Sequence, residues 1–336
     1  MNTRLPVERR AQLLLRQMTL EEKFWQLYMA PGDPRADSTW KHGAFGLQLL
    51  SLREPTAKLG DAAATANAVQ RWFIDSTRLG VPVILFEEGV HGLMQSHATI
   101  FPAAIGFAAS WDTTAVRNVA ATIAEQARMR GIRLLLAPVV NLARDPRWGR
   151  VEETYGEDSW LSAAMGAAFT GSLERNGVVA TPKHFVANHG DGGRDSYPIA
   201  LDRATLEDLH FPPFRASIDR GGARAIMASY NSVNGVPASA STQLLTRTLR
   251  GDWKFGGVVV SDQAGVGGAN VLHHTAADYA EATAQSINAG LDVIFQSGAH
   301  DAALFWPAFR DGRIPRARVD TAVARVLSLK FTLGLF

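Results

Sequence analysis

The 336-residue chain contains no cysteine, which excludes disulfides and thiolate metal sites. The same absence suits a reducing cytoplasm, or a periplasm or cell exterior if a signal sequence has been removed. No apolar run approaches the ~20 residues that a membrane-spanning helix requires, and the opening MNTRLPVERR lacks the apolar stretch of a secretory signal. Blocks of like charge are missing too. The 34 Lys and Arg nearly balance the 32 Asp and Glu, and the arginines are scattered, so neither a nucleic-acid nor a membrane partner is expected. No Pro/Ser-rich linker divides the chain, and no G-x-G-x-x-G follows the early apolar segments, which weighs against a dinucleotide site. There is no H-E-x-x-H, and His273 and His274 are adjacent rather than spaced along one helix face. No metal and no cofactor are therefore expected.

What is present is a rhythm. Short β-type runs at 44–50, 81–86, 104–108, 133–140, 178–185, 225–230, 257–261 and 292–295 alternate with amphipathic segments at 61–78, 113–130, 159–175, 204–219 and 277–289. Several runs are continuously apolar, as parallel strands buried on both faces must be. Eight such units without a linker predict an α/β fold, a single-domain (β/α)8 TIM-type barrel over 1–336; a doubly wound open sheet is the alternative.

Polar residues cluster just after the predicted strands: Glu87, Glu88 and His91; Asn141 to Arg150; Lys183 and His184; Tyr230 and Asn231; Ser261 and Asp262. In a barrel these positions converge on the C-terminal face, where active sites lie. Asp262 closes the run GVVVSD, and a carboxylate held by a buried strand at the barrel mouth suits a nucleophile in covalent glycosyl transfer. Ser-Asp before a Gly-rich loop also fits a helix N-cap. Lys183 and His184 could grip hydroxyls, or form an ion pair and a satisfied core histidine. The arginines of 144–150 could bind paired hydroxyls, or hold Glu152, Glu153, Glu157 and Asp158.

The segments RDPRWGRVEETYGED (144–158), KHFVANHG (183–190), GGRD (192–195), IMASYNSVNG (226–235) and GVVVSD (257–262) resemble the N-terminal domain of family 3 glycoside hydrolases. MTLEEK (18–23) and RVLSLKFTLGLF (325–336) are similar to the same family, so the resemblance runs in order from residue 18 to the end. It implies a retaining, exo-acting β-glycosidase that hydrolyses terminal β-D-glucosyl or β-D-xylosyl residues of an oligosaccharide or aryl glycoside through a covalent glycosyl-Asp intermediate. It further implies Asp262 as nucleophile, Arg150, Lys183 and His184 on the terminal sugar's hydroxyls, Glu88 at its far edge, and Met227 and Tyr230 packed around the nucleophile.

Three features depart from the family pattern. A retaining hydrolase needs a second carboxyl roughly 5–5.5 Å from the nucleophile, and two-domain members resembling this chain take it from an α/β sandwich after the barrel, a domain expected to be absent here. A second domain or subunit would then supply the acid/base. Another branch, β-N-acetylhexosaminidases, uses an Asp-x-His pair where this chain has Asp195-Ser196-Tyr197; His189, Asp191 and Asp195 are the in-chain candidates. Gln263 stands where many relatives have Trp, and Glu88 where many have Asp. A sugar-binding barrel without an efficient acid is the reading from outside enzymology.

Overall fold

Each strand in the computed structural model, which describes residues 5–58, 60–189 and 198–336, is short, and the parallel ones are almost wholly buried. In chain order these are β1 (Tyr28–Pro31), β2 (Gly46–Gln48), β3 (Ile84–Glu87), β4 (Leu134–Leu135), β5 (Val179–Ala180), β6 (Ala225–Ala228), β7 (Ser232–Val233), β8 (Val236–Pro237), β9 (Val258–Ser261) and β10 (Ile294–Phe295). Six of them pair in parallel in the order β10-β1-β2-β3-β4-β5, and β6 pairs in parallel with β9. Single parallel bridges, Phe185 to Ala228 and Val260 to Val293, join the two groups into a closed ring. The result is an eight-stranded parallel barrel; the open-sheet alternative is excluded by closure. The remaining strands, β7 and β8, form an antiparallel hairpin beyond β6.

The helices surround this ring. Asp61–Ser76, Thr113–Met129, Ser159–Arg175 and Tyr279–Ala289 fall where the amphipathic periodicity predicts them. Asp112, Asp158 and Asp278 cap the last three, each accepting backbone N–H groups of the first turn. The predicted helix 204–219 forms as Arg203–Thr205, a wide turn at Leu206–His210, and Phe211–Asp219.

Two strand predictions need correction. Residues 104–108, read as a strand, form the helix Ala104–Ala108. The run is Ala-rich, Ala favours helix, and Ala104 and Ala108, one helical repeat apart, are its buried residues. Conversely β1 was not anticipated. It follows the helix Leu20–Gln26 after a single residue, so no turn signal separates the two patterns.

Charges at the amino ends of the strands are locked. Buried Asp292 accepts from Arg318 at 3.0 Å and Arg325 at 2.9 Å and pairs with Arg250. Buried Lys330 donates to Gln26 Oε1 at 2.7 Å and to the Ala44 carbonyl at 2.6 Å. That end of the barrel is built for stability.

Candidate active site

The carboxyl ends of the strands hold the chemistry. Val258, Val259 and Val260 of β9 are buried, and the backbone N–H of Asp262, one residue beyond the strand, donates to the Ala228 carbonyl of β6 at 3.2 Å. The Asp262 backbone is thus tied to two strands. Its Oδ1 accepts the Gln263 N–H at 2.7 Å. Its Oδ2 is buried with no hydrogen-bond partner among the described residues and lies 3.5 Å from His184 Nε2.

The segment after β5 continues the barrel wall: Lys183 N–H donates to the Pro138 carbonyl at 2.9 Å and Phe185 N–H to the Met227 carbonyl at 2.7 Å. The Lys183–His184 and Phe185–Val186 peptides are cis. Lys183, almost fully buried, donates from Nζ to Glu88 Oε2 at 2.8 Å. Its neighbour Glu87 is turned inward, held by Gln48 Nε2 at 2.7 Å, by the Glu88 N–H at 2.8 Å and by Arg53. Arg150 makes a two-pronged bond to Glu153, at 2.7 and 2.8 Å.

Six residues identified from sequence, Glu88, Arg150, Lys183, His184, Tyr230 and Asp262, line one cavity of about 300 Å3 together with Gln263. Met227 is buried on β6 in register with Val260 of β9, beside the strand that leads to Asp262 but not on the cavity wall. His189 is also off the wall, its ring stacked on His210 at 4.9 Å with planes 6° apart. Asp191 and Asp195 lie outside the described residues, as does Tyr197. His91 is exposed at the surface.

Sequence reasoning missed Pro31, Gln48, Leu50, Arg53 and Phe295, which complete the lining. Gln48 and Phe295 end β2 and β10, so the strand-end rule that exposed Asp262 also reaches them. Arg53 lies in no motif.

A larger groove of about 890 Å3 lies at the opposite end, where Arg224 and Val258 lead into β6 and β9. There Lys23 is paired with Asp320, Arg224 with Glu174 and Arg325 with Asp292. Of these two, the smaller cavity gathers carboxylates, cations and an imidazole at the carboxyl ends of the strands, where barrel active sites lie.

Burial pushes the Asp262 carboxyl up from 3.8 to about 6; Lys183, the Gln263 N–H and Arg150 pull it down, and Glu88 adds a push upward. Any reaction that needs ionised Asp262 should therefore lose kcat/KM below about pH 6, tenfold per pH unit. A pH profile with an aryl glycoside checks this. An acidic limb that stays flat down to pH 4.5 would remove Asp262 from that role.

The profile of the glycosyl hydrolase family 3 N-terminal domain matches residues 19–329. The chain belongs to glycosyl hydrolase family 3. It is 32% identical over 342 residues to a periplasmic β-glucosidase of Salmonella typhimurium, covering 96% of this chain and 42% of that protein. A putative β-xylosidase of Formosa agariphila is 29% identical, covering 100% of this chain and 47% of its own length. Among solved structures, a β-glucosidase from Erythrobacter marinus superposes with a TM-score of 0.91 at 34% identity, covering 99% of this chain and 46% of that one. The chain thus spans less than half the length of these family 3 relatives.

Proposed function

We propose that this family 3 barrel is the sugar-binding and nucleophilic part of a retaining, exo-acting β-glycosidase for terminal β-glucosyl or β-xylosyl residues. The observation that carries the reading is the Asp262 carboxylate: strand-anchored, buried on the cavity wall, one oxygen fixed by the Gln263 N–H and the other 3.5 Å from His184 Nε2. In this reading a carboxylate oxygen of Asp262 attacks the anomeric carbon, the bond to the leaving oxygen breaks, and that oxygen takes a proton. Water then attacks the glycosyl ester from the opposite side and releases Asp262.

Lys183 and Arg150 present donors, and Glu88 and His184 acceptors, suited to the hydroxyls of one terminal sugar. A cavity near the lower limit of small-molecule sites, about 300 Å3, suits a single sugar unit with the rest of the chain outside. Among the described residues the carboxyls on its wall are Asp262 and Glu88, and Lys183 engages Glu88. We therefore assign the proton donor to a second domain or subunit, with Asp191 and Asp195 as the in-chain alternatives. The relatives named β-glucosidase and β-xylosidase supply the substrate class.

Trapping tests the reading: a 2-fluoro glycosyl substrate with a good leaving group should leave one sugar mass on the peptide that contains Asp262. Absence of label with intact sugar binding would favour a binding barrel without turnover.

Glu88 is the proposed discriminator at the far edge of the sugar. Glu88→Asp removes one methylene and opens room for a C6 hydroxymethyl group. A methylene's worth of fit is about 1–3 kcal/mol, so the glucoside-to-xyloside ratio of kcat/KM should rise about tenfold. An unchanged ratio would place Glu88 elsewhere.

A further inference from the structure

Three hydrogen bonds join Asn141 to the residue that faces Asp262. Asn141 Nδ2 donates to the His184 carbonyl at 2.9 Å, Oδ1 accepts the His184 backbone N–H at 2.7 Å, and Oδ1 also meets His184 Nδ1 at 2.9 Å. The two backbone contacts fix the amide's orientation, because a carbonyl can only accept and a backbone N–H can only donate. Oδ1 is then the atom at Nδ1, so Nδ1 must carry the hydrogen. In a neutral imidazole the other nitrogen, Nε2, is left with a lone pair. That nitrogen is the one 3.5 Å from Asp262 Oδ2.

We propose that Asn141 is a positioning residue that locks His184 in its Nδ1-protonated form, so that the nitrogen facing Asp262 is the one able to gain or lose a proton. This assignment rests on the glycosidase reading only for its consequence, not for its geometry. With neutral His184, Nε2 and Asp262 Oδ2 lie 3.5 Å apart as two acceptors, and Nε2 carries no hydrogen to give to Oδ2. The opposite tautomer would donate its Nε2 hydrogen to Oδ2 and blunt the nucleophile.

Among the described residues the charged groups around the pair are Lys183 beyond β5, Glu87 and Glu88 at the end of β3, Arg53 after β2, and Arg150 with Glu153 from the loop after β4. Asn141 and His184 are both buried, so bulk water does not reach the pair to replace the amide.

The test begins with the unaltered chain. Two-bond 1H–15N spectra of the histidine rings at about pH 8.5, above the ordinary imidazole range, should show a pyrrole-like Nδ1 and a pyridine-like Nε2 for His184. Its signals are assigned by their loss in His184→Gln. An Nε2–H tautomer overturns the proposal, whether or not the chain turns over any glycoside. Asn141→Asp keeps the acceptor at Nδ1 and favours the imidazolium. Its acidic limb of kcat/KM on a dinitrophenyl glycoside should move down by roughly 0.5–1 pH unit, because a cation then faces Asp262. Asn141→Leu frees the tautomer and should lower kcat more than it raises KM. Loss of activity in Asn141→Asp with an unmoved limb would mark Asn141 as merely structural and overturn the proposal. Absence of turnover in the unaltered chain would instead count against the glycosidase reading.

Discussion

Asp262→Ala and Asp262→Asn are each expected to lose several orders of magnitude in kcat, because neither can form the glycosyl ester. The same substitutions should not destabilise the fold, and for asparagine the sign can be worked out. The Asp262 carboxyl titrates at about 6 in the folded chain, raised from 3.8 mainly by burial. A folded carboxyl that holds its proton more tightly than the unfolded one makes stability fall as pH rises between those two values. The cost of the ionised carboxylate levels off above about pH 6, at on the order of 3 kcal/mol. Asparagine cannot ionise and escapes that cost. Asp262→Asn should therefore melt close to the unaltered protein near pH 4 and above it near pH 7.5. Thermal melts at both pH values, beside turnover of an aryl glycoside, check the two halves separately. An asparagine variant that is less stable at pH 7.5, or that keeps near-normal turnover, would contradict a buried nucleophile.

The barrel was legible because its strands are nearly all inside. Runs such as VVVS in β9 have no polar face, which is the signature of a parallel sheet covered on both sides. Where burial did not coincide with strand, the pattern misled. The segment 104–108 is apolar but Ala-rich and helical, while β1 is fused to the preceding helix by the single residue Leu27. The two misreadings cancel in the strand count, so the architecture came out right with one wrong member.

The cavity was legible for a different reason. Backbone geometry places each strand's carboxyl end at one face, so polar residues following apolar runs converge there whatever their chemistry. Asp262, Lys183, His184 and Glu88 are such residues. Arg53 and Leu50 enter the cavity from a short helical turn beyond β2, and nothing in their spacing signals that approach. Likewise Glu87 and Glu88 are neighbours of the same type, yet Gln48 and Arg53 draw Glu87 inward while Lys183 draws Glu88 to the cavity. Partners from distant elements decide the roles, and a single sequence does not display partners.

This chain alone should cleave activated aryl glycosides far better than natural disaccharides, because the proton donor is proposed to lie on a second domain or subunit. Attack on the anomeric carbon needs the Asp262 carboxylate and a grip on one sugar, and both are on the cavity wall. Protonating the departing oxygen is a separate task, typically contributing 10²–10⁴-fold. A dinitrophenolate leaves as a stable anion and needs little of that help, whereas a sugar alkoxide needs nearly all of it. Among the described residues Glu88 is the other carboxyl on the wall, and the Lys183 ammonium at 2.8 Å engages it. The deficit should therefore fall on cellobiose and xylobiose, by roughly 10²–10⁴ in kcat/KM relative to the dinitrophenyl glycosides. Deglycosylation has the mirror requirement, since water attacking the ester must lose a proton. Azide carries no proton to lose, so it should restore turnover of the aryl substrate and release a β-glycosyl azide. Measuring both substrate classes with and without azide separates the steps. Efficient disaccharide hydrolysis without azide would show that this chain carries its own acid, and would direct mutagenesis to Asp191 and Asp195 first.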